Sequence, residues 1–223
     1  PVIATDVGKR EISMAVRIHF SGKTVPATLE AKVERDGQAV LELPPVKINL
    51  RDGMENETTL SAQWETPACW SPENPVLHTA VMTLRDSSGK VLDEIRERFG
   101  FREFKVENGR FLLNGNETTL AFVSCQARYS ELPEESLRKL LQLYRTLNFN
   151  GLIVESLDSR LIGLCDEIGL MVMMRHVFPG LVRSGEYLPG VENSGYPFQI
   201  YLSGKYAAAR REFEGKIARI VQK

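Results

Sequence analysis

The chain has 223 residues and a mass of 25.1 kDa, with 43% hydrophobic and 26% charged residues, which excludes a disordered tail, a collagen-like fibre and a disulfide-rich miniprotein. Its 28 basic and 29 acidic residues leave a formal net charge of −1, so it offers no basic field for phosphates and we expect no nucleic-acid partner. The longest charge-free apolar stretch, around Leu170 to Met174, is far shorter than the ~20 residues that span a bilayer, and we expect no membrane partner. The N-terminus lacks a signal-peptide pattern, and the compartment is left open.

Up to about Phe104 the sequence predicts short strands separated by turns. Residues 12–20 alternate apolar with small or polar side chains, as in a half-buried strand, and 29–34 repeat the pattern before an Asp36-Gly37 hairpin turn. Further strands are predicted at 39–41, 46–50, 58–64, 76–84 and 91–99. About seven short strands over ~100 residues predict a two-sheet sandwich of immunoglobulin type.

From about Lys105 the pattern changes. Strands are predicted at 111–113, running into an Asn-Gly turn, and at 119–124. A helix is then indicated behind Pro133 and an acidic first turn, because apolar residues recur at helical spacing. The residues expected to face inward are Leu137, Leu140, Leu141, Tyr144 and Leu147.

Two more strands and two more helices are predicted after this helix. The apolar run at 150–155 does not alternate, as expected of a strand buried on both faces. Ser159 is expected to cap a second helix that Gly169 ends, before a third strand at 170–174. A Gly/Pro-rich loop at 179–197 then leads to a third helix that begins at Ser203.

The order β-α-β-α-β-loop-α predicts parallel strands with right-handed crossovers. A complete (β/α)8 barrel needs about 250 residues. Here 223 minus 104 leaves 119, which is room for three βα units. An isolated three-stranded parallel sheet would leave bare edges, so we favour the start of a barrel over a small open α/β sheet. The predicted fold is therefore an immunoglobulin-like β-sandwich at 1–104, followed at 105–223 by an incomplete, TIM-type (β/α)8 barrel.

The three cysteines do not predict a framework of disulfides or zinc. Cys69, Cys125 and Cys165 are widely spaced and lie in apolar surroundings, as buried, unpaired thiols do. We expect no metal ion and no cofactor.

Several segments resemble glycoside hydrolase family 2, which holds the β-galactosidases, β-glucuronidases and β-mannosidases. The segment WSPENPVLHT from Trp70 resembles the tryptophan–proline segment near the end of that family's sandwich domain. RFGFR at 98–102, followed by FLLNG at 111–115, is similar to its link into the catalytic barrel. FNGL at 149–152 and LCDEIGL at 164–170 resemble the second barrel strand and helix. These segments occur in the family's order over about residues 10 to 175.

Most of the residues that carry the resemblance also have structural explanations. Trp70 is expected to fill the sandwich core rather than to stack on a sugar. Arg102 is expected to pin the joint between the two halves, and Asn114-Gly115 to form a turn. Asp166-Glu167 looks like a catalytic carboxylate pair, but we expect it at a helix end facing solvent.

No catalytic residue is assigned within the chain. Retaining glycosidases use two carboxyl groups about 5–5.5 Å apart. The resemblance implies an acid/base in an Asn-Glu pair that closes the fourth barrel strand, and no Asn-Glu pair follows Met174. We therefore expect the chain alone to be inactive, as a part of a protein that hydrolyses O-glycosidic bonds in its full-length form.

The resemblance implies that the loops after the first three barrel strands line a sugar pocket. These loops depart from the family's usual residues, with SCQARY at 124–129 after the first strand and MRH at 174–176 after the third. The predicted substrate-binding residues are Gln126, Arg128, Glu155, Arg175 and His176. Glu155 and Arg175 fit a structural ion pair equally well. The expected partners are a carbohydrate substrate of the full-length protein and the remaining domains of the same polypeptide.

Two alternatives belong to other classes. A non-catalytic carbohydrate-binding or adhesion module built on the sandwich would show exposed aromatic residues on one face, yet aromatic residues make up only 8% of the chain. A flavodoxin-like α/β protein fused to a sandwich would need a phosphate loop after its first strand. No glycine-rich segment follows Ser124, which argues against nucleotide binding.

Overall fold

A computed structural model describes residues 1–124, 129–154, 159–175 and 198–201. The chain divides into two compact units. Within the described residues, the first unit comprises Pro1–Ser71 and Val76–Thr118, and the second comprises Pro72–Pro75 and the described part of Thr119–Ser203.

The first unit contains ten strands, and the second contains four strands, a short 3₁₀ turn at Tyr129–Glu131 and two helices among the described residues. The strands of the first unit are β1 (Val2–Asp6), β2 (Glu11–His19), β3 (Val25–Arg35), β4 (Gln38–Leu50), β5 (Glu55–Gln63), β6 (His78–Asp86), β7 (Val91–Phe99), β8 (Phe104–Glu107), β9 (Arg110–Leu113) and β10 (Asn116–Glu117). The elements of the second unit are β11 (Phe122–Ser124), α1 (Glu134–Thr146), β12 (Gly151–Val154), α2 (Ser159–Ile168), β13 (Met171–Arg175) and β14 (Phe198–Tyr201).

Strands β1 to β7 form the predicted β-sandwich. One sheet has the order β1-β2-β5 and the other the order β4-β3-β6-β7, with every neighbouring pair antiparallel. Alternate residues of both sheets point into one core, so that Met14 and Leu60 from the first sheet join Val33 and Met82 from the second. The β-sandwich is confirmed, although its first strand, β1, was not predicted from the sequence.

The hairpin turn at Asp36-Gly37 is also confirmed, because both residues have left-handed φ angles of 51° and 80°. The prediction of separate strands at 39–41 and 46–50 is wrong, since both lie within β4. Pro44 and Pro45 fall where the pairing of β3 with β4 shifts register. Because β4 is an edge strand, the missing proline N–H groups cost few ladder hydrogen bonds and the strand continues.

A small antiparallel sheet of order β10-β9-β8 completes the first unit. The sequence predicted only its middle strand, β9. The turn after β9 is the predicted Asn-Gly turn, with φ angles of 53° at Asn114 and 79° at Gly115. The two residues of β10 are too few to show an alternating pattern, and β8 falls where the predicted pattern changes, at about Lys105, so neither strand was predicted.

The second unit begins with the predicted β-α-β-α-β order. Strand β12 pairs parallel with both β11 and β13, and the strand order is β11-β12-β13-β14. Strand β14, which the sequence did not predict, pairs antiparallel with β13. The predicted helix that begins at Ser203 lies outside the described residues.

The helix ends and the cysteines were predicted from the sequence, and the structure differs from these predictions at Leu147 and Cys69. Gly169 follows α2 with a φ of 84°, which confirms the predicted stop. Leu147 follows the end of α1 and is 57% exposed rather than inward-facing. Cys165 is buried as predicted, whereas Cys69 is only partly buried. Cys125 lies outside the described residues. None of the described helices is long and apolar enough to cross a membrane.

Candidate functional site

The carboxyl ends of three parallel strands form the edge at which the sequence places its candidate residues. Ser124 ends β11, Val154 ends β12 and Arg175 ends β13. The parallel registers place these three residues at the same end of the sheet. Such an edge is where ligands bind in parallel α/β proteins. The backbone of Arg175 pairs with that of Phe198.

The remaining predicted substrate-binding residues follow these strand ends directly in the sequence. Gln126, Arg128, Glu155 and His176 lie outside the described residues, and so does the side chain of Arg175. The ion pair between Glu155 and Arg175 is therefore untested. The five residues stay a prediction.

The parallel sheet has two different faces. Leu152 and Val172 belong to the buried cluster that includes residues of both helices, so this face is covered by α1 and α2. Alternate residues point to the opposite face, where Phe122, Ile153 and Met173 are only partly buried. This second face is therefore apolar and incompletely covered within the described residues.

Asn150 ties together the starts of the three parallel strands. Its Oδ1 accepts from Ala121 N at 2.9 Å, and its Nδ2 donates to Thr119 O at 2.6 Å. Its backbone N donates to Ala121 O, and its backbone O accepts from Met171 N at 2.8 Å. Asn150 thus fixes the end of the sheet opposite the candidate site, through its side chain toward β11 and through its backbone toward β13.

Gly151 leaves room for the ring of Phe122, its partner on the neighbouring strand. A Cβ atom on Gly151 would stand 2.4 Å from the Phe122 ring, so any larger residue would displace that ring. In the sequence, FNGL at 149–152 is only a family-like segment. The structural role of its Asn and its Gly appears only in the tertiary structure, because their contacts are about thirty residues away in sequence.

The segment Pro72–Pro75 is held to the second unit through the carbonyl of Pro72. Arg145 Nη2 donates to this oxygen at 2.9 Å, while Arg145 Nη1 donates to Phe149 O at 2.9 Å. Gly169 approaches the same carbonyl so closely that a Cβ atom would lie 2.3 Å from it. The arginine fork and the glycine together fix this segment against α1 and the end of α2.

Trp70 is a core residue, as predicted, and not a sugar platform. It is fully buried in the first unit, and the Arg102 guanidinium lies 4.0 Å from its ring centroid. Asn114 Nδ2 donates to Trp70 O at 2.9 Å, and Asn114 Oδ1 accepts from Glu103 N at 2.9 Å. The motif residues around Trp70 therefore build a rigid polar–aromatic cluster inside the first unit.

The carboxylate pair Asp166-Glu167 differs from expectation. Asp166 is buried and does not face solvent, whereas Glu167 forms an ion pair with Arg138 of α1 at 2.8 Å. Asp166 is thus a buried residue of α2, although helical periodicity places it to one side of the apolar face.

His78 is a buried titratable side chain of the sandwich. Its Nε2 donates to Ala68 O at 3.0 Å, and its ring lies edge-on to Trp64 at 4.8 Å. Burial lowers the pKa of His78 below its usual value, so the ring is neutral near pH 7. No cluster of histidine, cysteine and carboxylate side chains suited to a metal ion occurs among the described residues.

Comparison with known proteins finds similarity to one family. Residues 2–102 match the model of the glycosyl hydrolases family 2. A β-galactosidase of Priestia megaterium is 28% identical over 175 residues, which cover 74% of this chain and 17% of the relative. A β-galactosidase of Alteromonas mediterranea is 27% identical over 133 residues, which cover 57% of this chain and 13% of the relative. The chain therefore spans less than a fifth of these relatives.

Solved structures support the fold. The β-glucuronidase of Bacteroides uniformis matches with a TM-score of 0.67 and 22% identity, over 77% of this chain and 22% of that chain. The β-D-mannosidase of Dictyoglomus thermophilum matches with a TM-score of 0.64 and 22% identity, over 78% of this chain and 23% of that chain. Together with the match over the sandwich and the β-galactosidase relatives, these likenesses point to one family: the chain is similar to the glycosyl hydrolases of family 2, whose model matches residues 2–102.

Proposed function

We propose that these 223 residues are part of a glycosidase that hydrolyses β-linked carbohydrates. The observation that carries the proposal is the match of residues 2–102 to the family model, extended by β-galactosidase relatives over 175 residues. The relatives' names favour a β-galactoside as the first substrate class to test. β-Glucuronides and β-mannosides come next, because proteins of similar fold carry those names.

The second unit is proposed as the opening of a (β/α)8 barrel. The domains predicted from the sequence, at 1–104 and 105–223, differ from the two units in that β8 to β10, up to Thr118, belong to the first unit. Parallel pairing of β11, β12 and β13, with α1 and α2 covering one face of the sheet, supports this interpretation. The half-buried side chains of Phe122, Ile153 and Met173 on the other face fit the interior of a barrel that further strands would close. The antiparallel pairing of β14 is a local departure from the regular barrel order.

The proposed role of the candidate residues is to line one side of a sugar pocket. Gln126, Arg128, Glu155, Arg175 and His176 offer amide, guanidinium, carboxylate and imidazole groups, which hydrogen-bond hydroxyl groups well. They follow strand ends that share one edge of the sheet. We assign them substrate binding and not catalysis.

The chain alone is proposed to be inactive. Retaining hydrolysis needs two carboxyl groups about 5–5.5 Å apart, one as acid/base and one as nucleophile. The Asn-Glu pairs of this sequence, Asn56-Glu57 and Asn116-Glu117, lie on β5 and β10 of the first unit and not at the ends of parallel strands. The catalytic pair would therefore come from other parts of the polypeptide.

An assay of hydrolysis tests the proposal. The 223-residue chain and the product of its complete reading frame are each incubated with nitrophenyl β-galactoside, β-glucuronide and β-mannoside. Activity confined to the longer product supports the proposal. Activity in the 223-residue chain would overturn its inactivity, and a longer product inert on all three substrates would overturn the glycosidase role.

Variants of the longer product test the pocket. Glu155→Gln is expected to raise KM for the cleaved glycoside about tenfold, because charged hydrogen bonds to hydroxyl groups would be weakened. The matched control is Glu135→Gln, which changes the same chemistry on the exposed face of α1, where Glu135 pairs with Lys139. Equal KM values for the two variants would remove Glu155 from the pocket.

A non-catalytic carbohydrate-binding role is the second candidate. Phe104 and Phe111 stack at 6.0 Å between ring centroids on the small sheet, and Phe111 is partly exposed. Against it, Trp64 and Trp70 are both buried and offer no sugar platform. Binding of oligosaccharides by the 223-residue chain, lost in Phe111→Ala, would favour this role over hydrolysis.

A further inference from the structure

The sequence contains three Asn-Gly pairs, at 108–109, 114–115 and 150–151. This dipeptide is the one most prone to loss of the asparagine side-chain amide, because glycine leaves its backbone nitrogen unhindered. The structure places the three pairs in different surroundings. Their reactivity should differ accordingly.

Two of the three asparagines are held at both ends of their amide group. Asn114 accepts from Glu103 N and donates to Trp70 O, each at 2.9 Å. Asn150 accepts from Ala121 N at 2.9 Å and donates to Thr119 O at 2.6 Å. To react, either side chain must first break two hydrogen bonds to distant backbone groups.

Asn108 has no such restraint. It lies with Gly109 in the two-residue turn between β8 and β9, with φ angles of 50° and 74°. Both residues are exposed, and a Cβ atom on Gly109 would meet nothing within 4 Å. Among the described residues the Asn108 side chain has no hydrogen-bond partner.

We propose that Asn108 is a site of spontaneous deamidation, from which Asn114 and Asn150 are protected by the fold. Gly109 N attacks Asn108 Cγ, a new C–N bond forms, and the bond from Cγ to Nδ2 breaks. The Gly109 amide proton leaves with Nδ2 as ammonia. Water then opens the resulting succinimide at one of its two carbonyls and gives aspartate or isoaspartate. No oxidant or cofactor is needed.

The turn at Asn108 slows the reaction only slightly. In the left-handed turn the chain must rotate at Asn108 before Gly109 N can reach Cγ. That rotation disturbs only the tip of a short hairpin closed by the pairing of Glu107 with Arg110. Tips of exposed hairpins open at low cost, whereas rotation at Asn150 would disturb the junction of three strands.

Either product changes this hairpin. Aspartate adds a negative charge next to Glu107. Isoaspartate also lengthens the backbone by one carbon, which a two-residue turn of this type does not accommodate. This inference is independent of the proposed function, since it concerns only the chemistry of the first unit's surface.

Mass spectrometry tests the proposal on the intact 223-residue protein. The protein is aged at mildly alkaline pH in ¹⁸O-labelled water, then digested with trypsin in ordinary water, so that only deamidation during ageing carries the label. Trypsin places the three pairs in separate peptides, 106–110, 111–128 and 146–160. A parallel sample aged in urea gives the rate of each site in the unfolded chain.

The expected result is a labelled 106–110 peptide at a rate close to that of the unfolded chain. The other two sites should be slowed about tenfold or more by folding, because their hydrogen bonds must open first. Asn108→Ser should remove the label from this peptide and leave the other two rates unchanged. Protection of Asn108 equal to that of Asn114 and Asn150, or rapid labelling of either protected site, would overturn the proposal.

Discussion

The guanidinium of Arg102 lies 4.0 Å from the centroid of the Trp70 ring, and both side chains are buried. Gly100 leaves room for the same indole, since a Cβ atom on Gly100 would stand 2.8 Å from Trp70 Cβ. Arg102 and Gly100 therefore both pack against the Trp70 side chain. This packing explains the glycine and the second arginine of the segment RFGFR at 98–102.

Gly100→Ala is expected to destabilise the first unit by about 1–3 kcal/mol, because the added methyl group overpacks the Trp70 site. Tryptophan fluorescence during urea unfolding measures the change. Gly8→Ala is the matched control, because its Cβ atom would lie 3.5 Å from Asp6 Oδ1, an ordinary contact. It should change stability by less than about 0.5 kcal/mol. Equal effects of the two substitutions would contradict the close fit around Trp70.

Gly169→Ala is expected to destabilise the second unit by about 2–4 kcal/mol, because a left-handed φ and a clash with the Pro72 carbonyl act together. Gly89→Ala separates the two causes, since Gly89 has the same φ of 84° and nothing within 4 Å of its Cβ position. It should cost only about 1 kcal/mol. Hydrogen exchange in peptides from α2 and β13, and from β6 and β7 for the control, provides the readout. If Gly169→Ala lowers the free energy of unfolding no more than Gly89→Ala does, the close contact between Gly169 and the Pro72 carbonyl adds nothing to the loss of stability.

The stability of the sandwich should fall as the pH falls below 6.5, the usual pKa of histidine, because burial lowers the pKa of His78. The unfolded chain then binds a proton that the folded chain rejects, so protons favour unfolding. Above that pH the contribution is fully present. The Nδ1 of His78 has no hydrogen-bond partner among the described residues, so a proton placed there would lack an acceptor.

His78→Gln tests this dependence, because glutamine can still donate to Ala68 O but does not titrate. Urea unfolding at several pH values on both sides of 6.5 should give a flatter dependence for the variant than for the parent protein. Parallel curves would remove His78 as the cause. Arg35 and Asp36 also act on the pKa of His78, in opposite directions.

Asn150→Asp is expected to destabilise the parallel sheet by about 2–3 kcal/mol, because a carboxylate oxygen replaces the N–H that donates to Thr119 O. Hydrogen exchange of the β11 and β12 amides measures the loss. Gln142→Glu makes the same amide-to-carboxylate change on the exposed surface of α1 and should be neutral within about 0.5 kcal/mol. Unchanged exchange in Asn150→Asp would mean that the amide does not join these strands.

The sequence by itself determined the features that arise from neighbouring residues. The Asp36-Gly37 turn, the alternation along β2 and the stop of α2 at Gly169 are local, so turn chemistry and period were enough to predict them. Motif order also indicated the family. The strand-end residues Glu155 and His176 came from the resemblance and still await a test.

Only the tertiary structure decided what depends on distant residues. Strand β4 continues through Pro44 and Pro45 because it lies at a sheet edge, and Asp166 is buried although its position at the end of α2 predicted an exposed carboxylate. Likewise Asn150 and Asn108 look alike in sequence, but one amide joins strands and the other meets solvent. The physical reason is that burial and hydrogen bonding depend on which distant segments meet, whereas turns and periods depend on adjacent residues.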